Sequence, residues 1–323
     1  MDKTDEKGFV EFIIPGRICL FGDKIDLKGL PVIAAAIDTL MSIKIKKLKD
    51  SKVKLFTENY KTGLEFELGE KGDWSHRLKY WCAIIYRLKE RIGGFEAIVN
   101  SKIPVGSGLS SSAALSVGLC KALNSQFNLG MNSTEIAELA YLAEHDDLQI
   151  MCGRMDQYAI TYGGVTFIET GEKPSVEPLS IKYLPVVVGD SQEERQSKKV
   201  LNSVKKRLEE NDSVVHNAFS VIYKCVLEGR EALTTGDFRR VGELMNKQQE
   251  QENIIGAATS KLNKLCQASI EAGAYGAKQM GAGGGGCIVA VCPGKQQEVA
   301  QAIKDAGGKA WIFNIYTYPE DVV

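Results

Sequence analysis

Apolar and polar positions alternate from residue 9 onward. FVEFII at 9–14, MSIKIKK at 41–47, then VKLF and LEFEL repeat with a period of two, the pattern of half-buried strands. The lysines at 44, 46, 47 and 49 fall on the polar side of that pattern and read as the solvent face of a strand rather than a basic patch. At His76 the spacing becomes helical, with Leu78, Trp81, Cys82, Ile85 and Leu88 on one face of a helix reaching about Glu90. A strand, FEAIV at 95–99, precedes a glycine-rich turn and two helices at about 112–126 and 134–148. The apolar strands VTFI (165–168) and LPVVV (184–188) close this first half. From about residue 193 come long helices with charged faces, at about 193–209, 214–228, 238–253 and 259–272. A second glycine-rich turn, the strand CIVAV (287–291), a helix at about 295–306 and a strand near 309–316 complete the pattern. Strands first, then helices returning to a small sheet, predict an α+β protein of two domains, 1–190 and 191–323.

The length of 323 residues agrees with two domains at roughly 150 each. Forty Lys+Arg against 41 Asp+Glu give a net charge of −1, so nothing marks a nucleic-acid binder. The longest apolar runs, such as LPVIAAAI at 30–37, fall well short of the roughly 20 residues a spanning helix needs. The first residues, MDKTDEKGF, lack the apolar core of a secretory signal. Eight cysteines form no CxxC pair and sit among aliphatic residues, and three histidines give no zinc spacing. They read as small buried hydrophobes of a cytoplasmic protein.

Four short segments carry the candidate chemistry. In PVGSGLSSSAAL (104–115), Gly106 and Gly108 turn the backbone tightly and serines precede a helical run from Ala113. Unpaired N–H groups and the positive end of a helix dipole then meet at one point, an anion site. No GxxxxGK[ST] occurs, so this is not a Walker A loop. GAGGGG (281–286) has five glycines in six positions, but the strand CIVAV follows it, which excludes a Rossmann reading. Glycine at that density means close approach of the backbone to something, tight packing of the two domains being the plain alternative. CGRMDQYAITYGG (152–164) sets Asp156 between turn glycines, after a helix containing Glu144. An Asp in a loop is most often a turn former. PGRICLFGDKIDLKG (15–29) reads as a strand broken into a loop with Arg17, Asp23, Lys24 and Asp26, a cluster of both signs suited to a hydroxylated or anionic small ligand or to solvated turn charges.

With these segments in this order, the chain resembles the GHMP family of small-molecule kinases, which unites galactokinase, homoserine kinase, mevalonate kinase and phosphomevalonate kinase. The resemblance rests on PGRICLFG, PVGSGLSSSAAL, CGRMDQYA and GAKQMGAGGGGC and spans nearly the whole length. It implies a ribosomal-protein-S5-like N-terminal domain, a ferredoxin-like C-terminal domain, and ATP and Mg²⁺ as cofactors. The nucleotide phosphates would lie on Gly106, Ser107, Gly108, Leu109, Ser110, Ser111, Ser112 and Ala113. Ser112 and Glu144 would hold Mg²⁺; Asp156 would accept the substrate hydroxyl proton, with Arg17 as the cation beside it. Asp23, Lys24, Asp26, Gly283 and Gly284 would face the substrate.

Within the family the motifs are mixed. Arg17 after Pro-Gly, MDQ at 155–157 and the spacing of Glu144 to Asp156 resemble galactokinases. GAKQMGAGGGGC is similar to mevalonate kinase, and QYAITYGGVTFIE with SQEERQSKK (191–199) to heptose-phosphate kinases. GDKIDL stands where galactokinase has GEHTDY, which points away from galactose itself. The expectation is a galactokinase-like kinase acting on the anomeric hydroxyl of a sugar, a uronate or a heptose phosphate included, as a monomer or homodimer. Mevalonate kinase is the alternative, and a non-catalytic sugar sensor a further one. The related diphosphomevalonate decarboxylase, a lyase, differs at the first and third segments.

Overall fold

The computed structural model describes residues 5–319. Its first sheet is built around two long strands, β1 (Val10–Phe21) and β2 (Val32–Lys47), paired antiparallel. β2 fuses LPVIAAAI with MSIKIKK: Val32–Ile37 is buried on both faces, whereas beyond Thr39 buried positions alternate with more exposed ones. Burial on both faces favours a continuous apolar run, and half-burial favours alternation. The remaining strands are β3 (Lys52–Thr57), β4 (Thr62–Glu67), β5 (Phe95–Ser101), β6 (Val165–Glu169) and β7 (Ser175–Leu179), in the order β4-β3-β5-β2-β6-β7 with β1 beside β2. β3 and β5 run parallel, so β4 and the helix α1 (Lys79–Leu88) lie in their crossover.

α2 (Ser111–Phe127) and α4 (Met155–Tyr162) pack on this sheet, and α3 (Ser133–Leu142) packs on both of them. α3 ends in a π-turn, Ala143–Asp147, which takes the place of the last turn of the helix expected to reach 148. α4 corrects the loop reading of CGRMDQYAITYGG, because Met155, Tyr158, Ala159 and Ile160 are buried at helical spacing. The flanking glycines end the helix rather than forbid it; Gly163 closes it at φ 71°.

The second sheet has the order β11-β8-β10-β9, all antiparallel, from β8 (Val186–Asp190), β9 (Gly276–Gln279), β10 (Cys287–Val291) and β11 (Lys309–Trp311). Ile288 and Ala290 pack with α8 (Ser260–Glu271) and α9 (Gln296–Asp305), while Val289 and Val291 join the main core. The helices α5 (Ser197–Glu209), α6 (Ser213–Thr235) and α7 (Phe238–Ile254) lie between these elements in sequence, and α6 meets the first half where Gly229 lies against the Phe21 ring.

Two expectations change here. The pattern places the strand at 184–188 in the first half, yet β8 is an inner strand of the second sheet, so the chain passes to that sheet at Val186. An all-apolar strand carries no information about which sheet buries it. The strand near 309–316 is also split: after β11 the chain recrosses to the first sheet, where Tyr316 N–H donates to the Ala36 carbonyl (2.9 Å) and the Tyr318 hydroxyl to the Ile160 carbonyl (2.9 Å).

Candidate active site

β1 carries Arg17 into a cleft between the halves. Gly16 has no side chain because a Cβ there would stand 3.0 Å from the Leu109 carbonyl oxygen, and Arg17 N–H donates to that same oxygen (3.2 Å). The loop 104–110 is thereby pinned across β1. The Arg17 guanidinium donates from Nε to Asp156 Oδ1 (2.7 Å), approaches it again through Nη2 (2.6 Å), and donates from Nη1 to the Gly108 carbonyl (2.6 Å). The Arg17 side chain is 5% exposed and that of Asp156 29%, so the carboxylate is the open end of the pair. Asp156 lies in the first turn of α4, where a helix favours negative charge.

Ser110 is the N-cap of α2, in the left-handed region at φ 60°, and its hydroxyl makes no cap bond. It donates instead to Asp156 Oδ2. The N–H groups of the first helical turn at Ser111, Ser112 and Ala113 therefore lack the acceptor a cap would supply, which suits them to an anion. Ser111 and Ser112 line the cleft with Gly106, Gly108, Lys79 and Tyr80; its volume is about 530 Å³. Ser107 donates to the Pro104 carbonyl (2.8 Å) and props the loop; the side chains of Leu109 and Ala113 are buried core, so these two offer backbone only. An apolar pocket of about 240 Å³ adjoins the loop, walled by Met41, Leu78, Leu115 and Val105 beside Tyr60 and Arg77.

Glu144 sits in the π-turn, 3% exposed, accepting from Ser116 Oγ (2.9 Å) and Gln157 Nε2 (3.1 Å) on one oxygen. Burial pushes its carboxyl up to about 7, against the lowering from Gln157 and Ser116. Ser116 also bonds the Ser112 carbonyl (3.2 Å), and Tyr80 interacts with both Glu144 and the Ser112 side chain, so the two expected metal ligands share one end of α2. A buried carboxylate and a hydroxyl are hard oxygen donors. Among the described residues no group of three or more His, Cys, Asp or Glu gathers as a metal site.

Asp26 occupies a short 3₁₀ turn, Ile25–Lys28, that faces α4. Its carboxyl packs against Gly153, where a Cβ would fall 1.9 Å from Oδ2, and accepts the Met155 N–H. Burial first, then the charge of Asp156, push it up to about 7.

Asp23 and Lys24 are not where the sequence reading put them. Asp23 Oδ2 pairs with Lys278 and accepts from Gln248 (2.9 Å), while Oδ1 accepts the Gly281 N–H. Lys24 pairs with Glu252 (2.7 Å) and donates to the Gly281 carbonyl (2.9 Å). Side-chain exposure of the four charged groups is 0 or 1%, so neither Asp23 nor Lys24 offers a substrate anything. The buried charge of Lys24 is explained by Glu252, 228 positions away in the chain, a partner no local pattern reveals. Gly283 and Gly284 are corrected as well. A Cβ at Gly283 would collide with the Ala257 carbonyl (2.2 Å), and Gly284 exchanges bonds with Ala257 and Gln196. They join segments of the second half and do not face Asp156. Arg195, which does line the cleft, escaped the sequence reading although it lies within SQEERQSKK.

The family models described as GHMP kinases N terminal domain and GHMP kinases C terminal match residues 79–164 and 230–309. A mevalonate kinase of Thermococcus sibiricus is 32% identical over 311 residues, covering 91% of this chain and 92% of its own. The chain belongs to the GHMP kinases. As such it is an ATP-dependent phosphotransferase, and its first-turn amides beside an Arg–Asp pair suit that chemistry. A galactokinase of Pyrococcus furiosus is 28% identical over 329 residues, covering 90% of each chain. The crystal structure of Lactococcus lactis galactokinase complexed with galactose superposes with a TM-score of 0.83 at 25% identity, covering 97% of this chain and 95% of that one. Similarity thus runs to kinases named for two different acceptors.

Proposed function

We propose that this GHMP kinase transfers the γ-phosphoryl group of ATP to the anomeric hydroxyl of a sugar, with Asp156 as the proton acceptor. The observation that carries the choice of acceptor is Asp26. Its carboxyl stands beside Asp156, packed on Gly153, and makes no salt bridge among the described residues. A half-buried acid with no salt bridge gains from hydroxyls that donate to it. Adjacent sugar hydroxyls donate to a carboxylate in pairs; the methyl-bearing face of a branched carbon chain does not.

The acceptor hydroxyl gives its proton to Asp156 as its oxygen bonds the γ-phosphorus and the bond from phosphorus to ADP oxygen breaks. Arg17 holds Asp156 in place through two nitrogens, and Ser110 fixes its other oxygen. The transition state is loose, so positioning and charge stabilisation supply most of the rate. The N–H groups at 111–113 would take phosphate oxygens, and the apolar pocket by Met41 and Leu115 the base. Mg²⁺ on Ser112 and Glu144 would neutralise phosphate charge. The eight cysteines are free thiols, seven of them buried, which supports a reducing, cytoplasmic setting. No helix among the described residues is long and apolar enough to cross a membrane.

Mevalonate as acceptor is the second reading, favoured by the 32% identity to the Thermococcus enzyme over nearly the full length. ADP release from the purified protein with Mg²⁺ and ATP, against hexoses, hexuronates, heptose phosphates and mevalonate, separates the two. Turnover of a sugar with none of mevalonate is the expected outcome; the reverse would move the protein to the isoprenoid branch.

A further inference from the structure

After β11 the chain leaves the second sheet and lies as a strap, 312–318, across the first half. The Asn314 N–H donates to Asp38 Oδ1 (3.0 Å) and Asn314 Nδ2 to Asp38 Oδ2 (2.8 Å), while the Asp38 N–H donates back to the Asn314 carbonyl (3.1 Å). Two residues on, the Tyr316 carbonyl accepts the Gly164 N–H (2.7 Å), and the Gly164 carbonyl accepts the Ala36 N–H (2.8 Å). The strap is thereby stitched both to β2 and to the turn that ends α4. In that turn a Cβ on Gly163 would stand 3.0 Å from Tyr318 Cδ2, so the last ring of the strap lies directly on the end of α4.

Tyr318 joins two helices. Its hydroxyl donates to the Ile160 carbonyl in the last turn of α4 (2.9 Å), and Lys121 Nζ of α2 lies 3.4 Å from the centroid of its ring. The N-terminal ends of these same helices carry the site: Asp156 on α4 and the amides at 111–113 on α2. In an α-helix the Ile160 N–H bonds the carbonyl of Asp156, one turn earlier. The carbonyls of a last helical turn find no partner within the helix, and α4 has only eight residues to hold itself together. Arg17 and Ser110 fix the Asp156 carboxylate; the strap fixes the helix behind it.

We propose that Tyr318 is a positioning residue. Acting through Ile160, it keeps Asp156 aligned on the acceptor hydroxyl, and it ties that alignment to the second sheet, from which the strap comes. A displacement of about 1 Å that starts far from the chemistry can cost on the order of 10²-fold in rate, so the loss of one such hydroxyl is expected to show in turnover. The proposal rests on Asp156 as the proton acceptor and does not depend on the acceptor's being a sugar.

The test is a cycle of four proteins: the wild type, Tyr318→Phe, Asp156→Asn and the double variant. Tyr318→Phe keeps the ring over Lys121 and removes only the hydroxyl. For each protein kcat and KM are measured with the preferred acceptor, and AMPPNP affinity by calorimetry with no acceptor present. The expected result is a fall in kcat of about tenfold for Tyr318→Phe in the wild-type background, and of less than twofold in the Asp156→Asn background, with AMPPNP affinity within twofold throughout. A hydroxyl that only supports the fold would instead lower kcat equally in both backgrounds. That equal loss, a matching loss of AMPPNP affinity, or a kcat of Tyr318→Phe within twofold of wild type would overturn the proposal. If Tyr318→Phe does not fold, Lys121→Met, which removes the cation from the ring, must show the same dependence on Asp156 or the proposal falls. Near-normal turnover of Asp156→Asn alone is a separate result: it ends the proton-acceptor reading, and the proposal with it.

Discussion

Two carboxylate–cation pairs, Arg17–Asp156 and Lys278–Asp23, stand at the junction of the halves, and they differ chiefly in access to water. Asp156 keeps 29% of its side chain exposed to the cleft; Asp23 and Lys278 keep none. Both pairs join residues distant in sequence. In the sealed pair every carboxylate oxygen is taken, by Lys278, Gln248 and the Gly281 N–H, so it works as a rivet between β1 and the β9–β10 hairpin. In the open pair the cation holds a carboxylate whose exposed side a ligand can still reach. The same chemistry therefore serves structure where it is closed and, on the function proposed above, reaction where it is open.

The sharpest way to break this contrast is Asp156→Asn, which keeps shape and removes most basicity. Turnover falls by on the order of 10²–10⁴, the range for losing a general base, while calorimetric nucleotide affinity and the thermal midpoint stay near wild type. Asp23→Asn does the opposite. Leaving Lys278 buried and unpaired costs about 3–5 kcal/mol of stability, and the double variant Asp23→Leu with Lys278→Met recovers most of it; urea unfolding checks both. Ser112→Ala raises the Mg²⁺ concentration needed for half-maximal activity without loss of fold, read from Mg²⁺ titrations of ADP release.

The smallest effects belong to Asp26. Asp26→Ala raises the sugar KM at least tenfold, about 1.4 kcal/mol. Its pKa of about 7 lies above the ordinary carboxylate value, so the folded state keeps a proton that the unfolded chain releases. Stability from this group is full below about pH 4 and is lost as pH rises to about 7, giving a negative slope between them. Asp26→Asn removes that slope in urea melts taken across the range.

What could be read from the chain follows the range of the interaction. The turn and helix start at 106–113 are legible because both are local demands, met by Gly106, Gly108 and the serines in consecutive positions. Family resemblance singles out Asp156, which the structure pairs with Arg17, while the helix that carries it is hidden in the sequence behind two glycines. Asp23 and Lys24 were misplaced because their partners Lys278 and Glu252 lie more than 200 positions away. The glycines at 281–286 announced a close approach, but Arg195 as one of the groups approached could only be seen in three dimensions. β8 was assigned to the wrong sheet because Val186–Val188 would be buried equally well in either.

The account stands most directly on where the phosphate goes. Phosphorus NMR of a reaction with ATP, Mg²⁺ and the preferred acceptor should show a product resonance split by the anomeric proton of a sugar, and no such resonance above background with Asp156→Asn. A phosphate on the hydroxyl of mevalonate, or an undiminished anomeric signal from Asp156→Asn, would contradict it.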